Sequence, residues 1–379
     1  MRRIKIISAT LIFALAMALA LTAALACSDG SGDLPADGAA PAVAESAATG
    51  EPSTGDTNTN AVLLFTIGMH IEPLGATPSS LAGNVTSGAS SRTGADYNNG
   101  QIFNRHVKDI RTLADIIKNH QGKMTVQAQT PFTSIAIRNG DTILADLAAS
   151  GNEIALHFHE DAHLGTNPDS LPATTWCDVM KEEISLIQQA SGVNDIRYWS
   201  GGNLYTGLLD AAECAGLDVN SDWKNPEEQK TVDELIGVSP WRPAGGSNGN
   251  DVNRFATHDP EGPVVFLPEG DYNRNDFASM RRSESTGGDE AYFQFLKESL
   301  MNSLASSEAG KVNVFHFGVH PGEFRGDSQH PFEVIDRFLT EVVDPLVASG
   351  QVRWATFSQM ADAFAAWEED NPGVAPVKP

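Results

Sequence analysis

Short apolar runs alternate with amphipathic stretches along most of the chain from Ala61 onward. The run AVLLFTIGM (61–69) predicts a buried strand, and FNRHVKDIRTLADIIKNHQG (103–122) repeats apolar residues at helical spacing. In TILADLAASGNEIALHFH a helical pattern stops at Gly151 and a second strand follows. Regular alternation of strands and helices predicts a parallel sheet with crossover helices.

The number of apolar runs narrows this α/β class further. Seven or so strands spread over about 310 residues favour a closed or nearly closed barrel over a small open sheet. We expect this barrel to occupy residues 61–368 and to be followed by a flexible tail, 369–379. No glycine-rich phosphate loop follows the first strand, which argues against a nucleotide site.

The N-terminus has the pattern of an export signal. MRRIKII supplies three positive charges, and an apolar stretch then runs to Cys27, which predicts a signal peptide over residues 1–26. The segment ALAC (24–27) resembles the lipobox of bacterial lipoproteins, with Ala24 in the place of the more usual leucine. We therefore expect lipidation of Cys27 and a location in the bacterial cell envelope, facing the periplasm or the exterior. An ordinary signal peptide and an uncleaved anchor helix are the alternatives.

Residues 27–60 are small, polar and acidic, with no aromatic side chain, and predict a disordered acidic linker. The whole chain has 49 acidic and 25 basic residues, a net charge of −24. Such a surface repels phosphate backbones and anionic lipid headgroups, which argues against a nucleic-acid partner. Membrane attachment is then expected through the N-terminal lipid alone.

Polar residues collect where four of the apolar runs end. They are His70 and Glu72 after the first run, His157, His159 and His163 in EIALHFHEDAH, Arg197 and Trp199 in DIRYWSGGN, and His316 and His320 in VNVFHFGVHPGEF. In α/β barrels the loops after the strands converge at one rim, which holds the active site. The pattern therefore predicts a functional site built from several strands.

The residue types at this rim are those of a metal site. Neutral imidazoles and carboxylates bind zinc and similar divalent cations. Residues two apart in a strand face the same side, so His157 and His159 are expected to point inward together, as are His70 and Glu72. His163 would return from the following loop, and Asp161 could replace one histidine. We expect one divalent ion, zinc first among the candidates.

Several motifs resemble those of the polysaccharide deacetylases, the NodB-homology domain of carbohydrate esterase family 4. SGNEIALHFHEDAH is similar to the second family motif, and His157 falls in the place of its first metal-binding histidine. Four residues later the family has a second histidine where this chain has Asp161, and we expect the nearby His163 to take that role. The segments beginning IRYWSGGN, KVNVFHFG and GQVRWATF resemble later motifs, so the likeness spans most of residues 61–367.

The first motif departs from the family pattern. The family has two adjacent aspartates after the first strand, and this chain has MHIEP instead. His70 and Glu72 resemble the H-x-D pair of metal-dependent relatives on similar distorted barrels, including some glycosidases. Either Glu72 binds the metal, or Glu72 is the base while His70 binds the metal.

The resemblance implies a distorted (β/α)7-type TIM-like barrel of the glycoside hydrolase and deacetylase superfamily. It also implies a metal-dependent hydrolase that deacetylates an extracellular or cell-envelope polysaccharide. In that interpretation Glu72 assists as base, and His316 or His320 is the acid. Arg197, Trp199 and Trp223 would bind the glycan, although core packing is the alternative for at least one tryptophan. A metal-dependent glycoside hydrolase and a non-catalytic glycan-binding lipoprotein remain as other hypotheses. Cys177 and Cys214 could form a disulfide or remain buried thiols.

Overall fold

The structure is a computed structural model that describes residues 61–83, 96–202, 205–223, 237–245, 255–271, 288–322 and 331–376. The predicted signal peptide (1–26), the linker (27–60) with Cys27, and residues 377–379 of the tail lie outside these ranges. The corresponding predictions stay predictions. Among the described residues, no helix has the length and hydropathy needed to cross a membrane.

Eight parallel strands form one sheet. They are β1 (Leu63–His70), β2 (Thr125–Ala128), β3 (Glu153–His157), β4 (Tyr198–Ser200), β5 (Val219–Trp223), β6 (Val265–Pro268), β7 (Asn313–Val319) and β8 (Val352–Trp354). Their order is β6-β5-β4-β3-β2-β1-β7, and β8 pairs with the first half of β1. The sheet curls so far that its edges approach each other. The backbone N–H of His316, in β7, donates to the carbonyl oxygen of Glu269, the residue after β6, at 3.1 Å. The predicted α/β barrel class is confirmed.

Helices surround this curled sheet, most of them on its outer face. They are α1 (Gly100–Asn119), α2 (Phe132–Asn139), α3 (Ile143–Ala149), α4 (Glu160–His163), α5 (Ala173–Ser191), α6 (Leu208–Ala215), α7 (Gly288–Ala305), α8 (Pro331–Phe338), α9 (Asp344–Ala348) and α10 (Phe357–Asp370). A π-helical turn, Leu339–Val343, joins α8 to α9. In α1 the buried residues Phe103, Ile110 and Ile117 recur at helical spacing and form one apolar face.

Two separate apolar cores follow from the alternation of side chains along the strands. The larger core lies between the strands and the helices and includes Phe65, Ile67 and Trp199. The smaller core contains Leu64 and Tyr198, each adjacent in sequence to a member of the larger core, together with residues of α10. Because successive side chains in a strand point to opposite faces, this second core is the inside of the barrel.

Helix α10 closes the amino end of the barrel. Its first residue, Phe357, stacks on the Tyr198 ring at a centroid distance of 4.4 Å. Thr356 and Gln359 form a capping box at the helix start, which satisfies backbone N–H groups there. Glu153, at the start of β3, accepts backbone N–H groups from Phe357 at 3.0 Å and Ser358 at 3.2 Å. Because α10 closes the amino end, a functional site is expected at the carboxyl ends of the strands.

Cys177 and Cys214 form a disulfide between α5 and α6, with their Cα atoms 5.8 Å apart. The sequence left this pairing open. The two helices pack side by side, so the two cysteines meet although 37 residues separate them.

Candidate metal centre

Three side chains at the carboxyl ends of the strands bring ligand atoms together. One nitrogen each of His157 and His159 and a carboxylate oxygen of Glu72 all lie within 4.8 Å of one another. The Nε2 atoms of the two histidines are 3.1 Å apart. Glu72 Oε2 is 3.1 Å from His159 Nε2, and Glu72 Oε1 is 4.0 Å from His157 Nε2. The arrangement offers one carboxylate and two imidazoles to a single point.

The strand geometry explains why these residues meet. His157 is the last residue of β3 and His159 comes two positions later, so both follow the inward face of the strand. Glu72 follows β1 by two residues, again in step with the inward-facing His70. Strand β2 lies between β1 and β3 in the sheet. The curl of the sheet therefore points the ends of β1 and β3 at each other across the barrel mouth.

His157 is held by a neighbour on β4. Its Nδ1 is 2.7 Å from Ser200 Oγ, and the two residues are register partners in the β3–β4 ladder. A hydrogen bond to one ring nitrogen fixes the orientation of the ring and directs the other nitrogen to a ligand. Here the directed atom is Nε2, which faces Glu72 and His159.

Two further histidines border the cluster. His320 Nε2 is 3.1 Å from Glu72 Oε1. The His70 ring packs 4.8 Å from the His157 ring and 5.1 Å from the His320 ring, measured between centroids. Gly318 makes room for His70, because a Cβ at position 318 would lie 2.9 Å from His70 Cε1. The site therefore has a shell of four histidines around one glutamate.

The charges at the site are strongly coupled. Burial works to raise the pKa of Glu72, but hydrogen bonds from His159 and His320 outweigh it and hold the pKa well below its usual value. Burial works to lower the pKa of His159, yet the Glu72 carboxylate raises this pKa to about 9. Glu72 is therefore an anion, and a cation brought to the cluster would replace the proton on His159.

His163 does not join this group. It is fully buried one helical turn away, where its Nε2 is 2.7 Å from Gln129 Oε1 and its Nδ1 is 3.6 Å from Glu183 Oε1. The ring stacks on Phe158. Because α4 begins directly after His159, position 163 turns toward α5 and not toward the barrel mouth. Asp161 lies on the same short helix and is also outside the three-residue group.

Two predicted substrate residues are corrected by the structure. Arg197 precedes β4 and forms ion pairs with Asp218 at 2.9 Å and Asp362 of α10 at 2.8 Å, so it lies at the amino end of the barrel. Trp199 is 1% exposed and belongs to the core between sheet and helices, because it points outward between the inward-facing Tyr198 and Ser200. The side chain of Trp223 lies outside the described part of the chain.

His316 lies deeper in the barrel than His320. It is part of β7, is buried, and packs edge-on against Phe357 at 4.7 Å between ring centroids. Phe357 opens the helix that closes the amino end. The structure therefore places His320, and not His316, beside Glu72.

Sequence reasoning missed the polar partners of these histidines, namely Ser200 beside His157, and Gln129 and Glu183 beside His163. Ser200 could have been found, because it is the inward-facing residue that ends β4, next in the sheet to β3. Glu183 carries no such signal, since it is one of many acidic residues on a long amphipathic helix.

No protein-family model matches this sequence, and no curated protein is similar to it. Solved structures do match. A protein from Mycobacterium smegmatis described as a polysaccharide deacetylase aligns over 82% of this chain and 92% of its own, with 14% identity and a TM-score of 0.50. A second, from Pseudomonas aeruginosa and described in the same way, aligns over 82% and 93% with 18% identity and a TM-score of 0.50.

The chain has the fold of the polysaccharide deacetylases. At these identities the likeness establishes the fold alone. The deacetylase fold predicted from the motifs is therefore confirmed.

Proposed function

We propose that this protein is a metal-dependent hydrolase that removes acyl groups from a polysaccharide of the cell envelope or its surroundings. The observation that carries the proposal is the convergence of Glu72, His157 and His159 on one point at the open end of a deacetylase-like barrel. Carbohydrate-active members of this fold would use the same end for catalysis, because the loops after parallel strands meet there.

The donor set fits a divalent cation, zinc in particular. Two imidazole nitrogens and one carboxylate oxygen are the ligand types of hydrolytic zinc sites, which keep a further position open. The fixed ring of His157, bonded to Ser200 at 2.7 Å, is the supported ligand that such sites require. Glu72, His157 and His159 would hold the ion. When bound, it would polarise the acyl carbonyl and lower the pKa of water.

The remaining side chains would move protons and shape the site. Glu72 would hold the ion through the oxygen that faces His159, and its other oxygen, bonded by His320, would orient that imidazole. His320 Nε2, 3.1 Å from Glu72, is placed to pass a proton to the leaving group. His70 packs against both His157 and His320 and so fixes the distance between the two sides of the site.

The proposed location rests on the N-terminal sequence alone. A basic segment, an apolar stretch and ALAC ending at Cys27 support a lipoprotein anchored in the envelope and facing the periplasm or exterior. A long linker would let the barrel reach a glycan at some distance from the membrane.

The decisive assay separates the three functions considered. Acetylated oligosaccharides are incubated with the zinc-loaded protein, and both free acetate and product length are measured. We expect acetate release without chain shortening, and loss of release after treatment with a chelator. Shortened chains would favour a glycoside hydrolase, and tight glycan binding with neither product would favour a non-catalytic lipoprotein.

The Glu72→Gln variant tests the role of the carboxylate in the same assay. Because a neutral amide is a much weaker ligand for a divalent cation than a carboxylate, the variant should lose most of the ion, and we expect acetate release to fall by at least about 100-fold. His120→Gln, a substitution far from the barrel mouth, is the matched control and should keep wild-type activity.

A further inference from the structure

A cluster of polar side chains, three of them buried and one partly buried, lies beside the candidate metal centre, between β2, α4 and α5. It consists of Gln129, Thr130, His163 and Glu183. Gln129 follows β2 directly and is completely buried, and His163 and Glu183 are buried too. A buried polar group costs free energy unless it is hydrogen-bonded. The hydrogen-bond partners of these side chains therefore identify the segments that the cluster connects.

The side chain of Gln129 contacts both segments that carry the proposed ligands. Its amide nitrogen donates to the Ile71 carbonyl at 2.9 Å, and Ile71 directly precedes Glu72. Its Oε1 accepts the backbone N–H of His159 at 3.4 Å. One side chain therefore links the backbone beside the carboxylate ligand to the backbone of an imidazole ligand.

Gln129 is itself held by His163. The His163 Nε2–H donates to Gln129 Oε1 at 2.7 Å, the shortest contact that this glutamine makes. The His163 ring stacks on the ring of Phe158, with centroids 5.4 Å apart and planes inclined by 24°. In the sequence Phe158 lies between the two proposed histidine ligands. The orientation of the glutamine amide is thus fixed by a residue whose own ring is locked by packing.

Glu183 completes the support from the outer side. It accepts the Thr130 backbone N–H at 2.7 Å and the Thr130 hydroxyl at 2.6 Å, and lies 3.6 Å from His163 Nδ1. Thr130 is the residue after Gln129. Helix α5 therefore anchors both the backbone next to Gln129 and the far side of the His163 ring.

We propose that Gln129, held by His163, is a positioning residue that sets the distance between Glu72 and the histidine ligands. This inference rests on the proposed metal-dependent function. A supported site needs its ligands within about half an ångström of their working positions, and outer contacts of this kind supply that precision. The histidine that the motif suggested as a ligand then acts through Gln129 instead.

Zinc affinity of the full-length chain is the first test, measured by competition with a chelating dye. Gln129→Met removes the three hydrogen bonds of the side chain, to Ile71, His159 and His163, and nearly keeps its volume. We expect its affinity to fall by about 10–100-fold, the usual effect of removing an outer contact of a metal ligand. The absorption spectrum of bound Co²⁺ should change as well, because the ligand positions shift.

Gln127→Met is the matched control. Gln127 lies two residues earlier, within β2, and is equally buried, but its side chain donates to the Tyr198 hydroxyl at 3.0 Å, below the site. We expect its zinc affinity and Co²⁺ spectrum to match those of the wild type. An equal loss of affinity in both variants would overturn the proposal, because general loosening of the barrel would then explain it.

Two substitutions of His163 separate positioning from direct ligation. His163→Phe keeps the stacking on Phe158 and removes the donor to Gln129, so it should weaken zinc binding as Gln129→Met does. His163→Gln restores an N–H donor and should recover most of the affinity. If His163→Gln binds zinc as poorly as His157→Ala, His163 is a ligand and the proposal is wrong.

The role of Gln129 can be tested even if the proposed metal-dependent function is wrong. If the wild-type chain binds no divalent ion, the metal-dependent function is overturned, and crystal structures of the metal-free variants judge the positioning role instead. In Gln129→Met the segments around Ile71 and His159 should move apart, while Gln127→Met should leave them in place. Unmoved segments in both variants would overturn the proposal.

Discussion

Each end of the barrel has a glutamate that accepts several hydrogen bonds, and the two carboxylates have different partners. At the amino end Glu153 accepts two backbone N–H groups from the start of α10 and the Thr125 hydroxyl at 2.6 Å. At the carboxyl end Glu72 is bonded by the imidazoles of His159 and His320. Backbone donors cannot be exchanged, whereas protons on imidazoles can be replaced by a cation.

The pKa shifts record the same difference. Burial raises the pKa of Glu153, and its hydrogen bonds only partly offset this effect. The pKa of Glu72 is held well below its usual value despite burial, because two imidazoles bond it. At the amino end the Glu153 carboxylate therefore holds the start of α10, and at the carboxyl end the Glu72 carboxylate is an anion that a cation could bind.

The largest expected effect on stability is at the amino end. Glu153→Ala leaves two buried N–H groups unpaired and opens a cavity, so unfolding by denaturant should show a loss of about 2–4 kcal/mol. Glu72→Ala should cost less than about 1 kcal/mol, because that side chain is 32% exposed and its partners can reach water. Equal losses would remove the proposed distinction between the two ends.

Ser200→Ala should have the next largest effect, this time on metal binding. Without the hydrogen bond to Nδ1, the His157 ring is free to turn, and zinc affinity should drop by about 10-fold or more. Calorimetric titration measures the change. The free energy of unfolding should fall by about 1 kcal/mol, since a buried hydrogen bond is lost. A variant that keeps full affinity would show that β4 does not orient the ligand.

Arg197→Ala tests the correction of a predicted substrate residue. The arginine bonds Asp218 and Asp362 at the amino end, so its loss should lower stability by about 1 kcal/mol or less. We expect kcat and KM for acetate release to stay at wild-type values. A rise in KM without loss of stability would return Arg197 to the substrate site.

The smallest predicted effect is a pH dependence at His120, near the amino end. Burial lowers the pKa of this imidazole, but hydrogen bonds to Asp344 at 2.8 Å and Asp336 at 3.1 Å outweigh it and raise the pKa above 6.5. A raised histidine pKa stabilises the fold fully below the unfolded-state value and less as pH climbs through the folded-state value.

Wild type should therefore exceed His120→Gln in stability by up to about 1 kcal/mol at about pH 5.5, and by less at about pH 9. Chemical unfolding at the two pH values measures the difference. A difference that does not change with pH would show that His120 is not protonated between its aspartates.

Much of the fold could be predicted from the sequence, because buried strands and amphipathic helices have different periods. The strand ending at His70 and the helix–strand unit around Gly151 both appear where the pattern placed them. The meeting of Glu72 with His157 and His159 was also expected, since inward-facing positions at strand ends converge. The positions of strands and helices, and the residues that face inward at strand ends, could therefore be predicted from the periodicity.

The errors have a common physical cause. Trp199 was expected at the substrate site, but a three-residue strand gives too little alternation to tell which face a side chain takes. His163 was expected to return to the site, but the turn of α4 directs it to Glu183, on a helix twenty residues later. Partners that distant in sequence have no local signal.

The central claim, that the carboxyl end holds one metal ion through Glu72, His157 and His159, is tested most directly by metal content. The purified wild-type chain is equilibrated with zinc, dialysed, and analysed by inductively coupled plasma mass spectrometry beside His157→Ala and Glu153→Ala. We predict about one zinc per chain for wild type and folded Glu153→Ala, and almost none for His157→Ala. Equal zinc in wild type and His157→Ala, or none in wild type, would contradict the account.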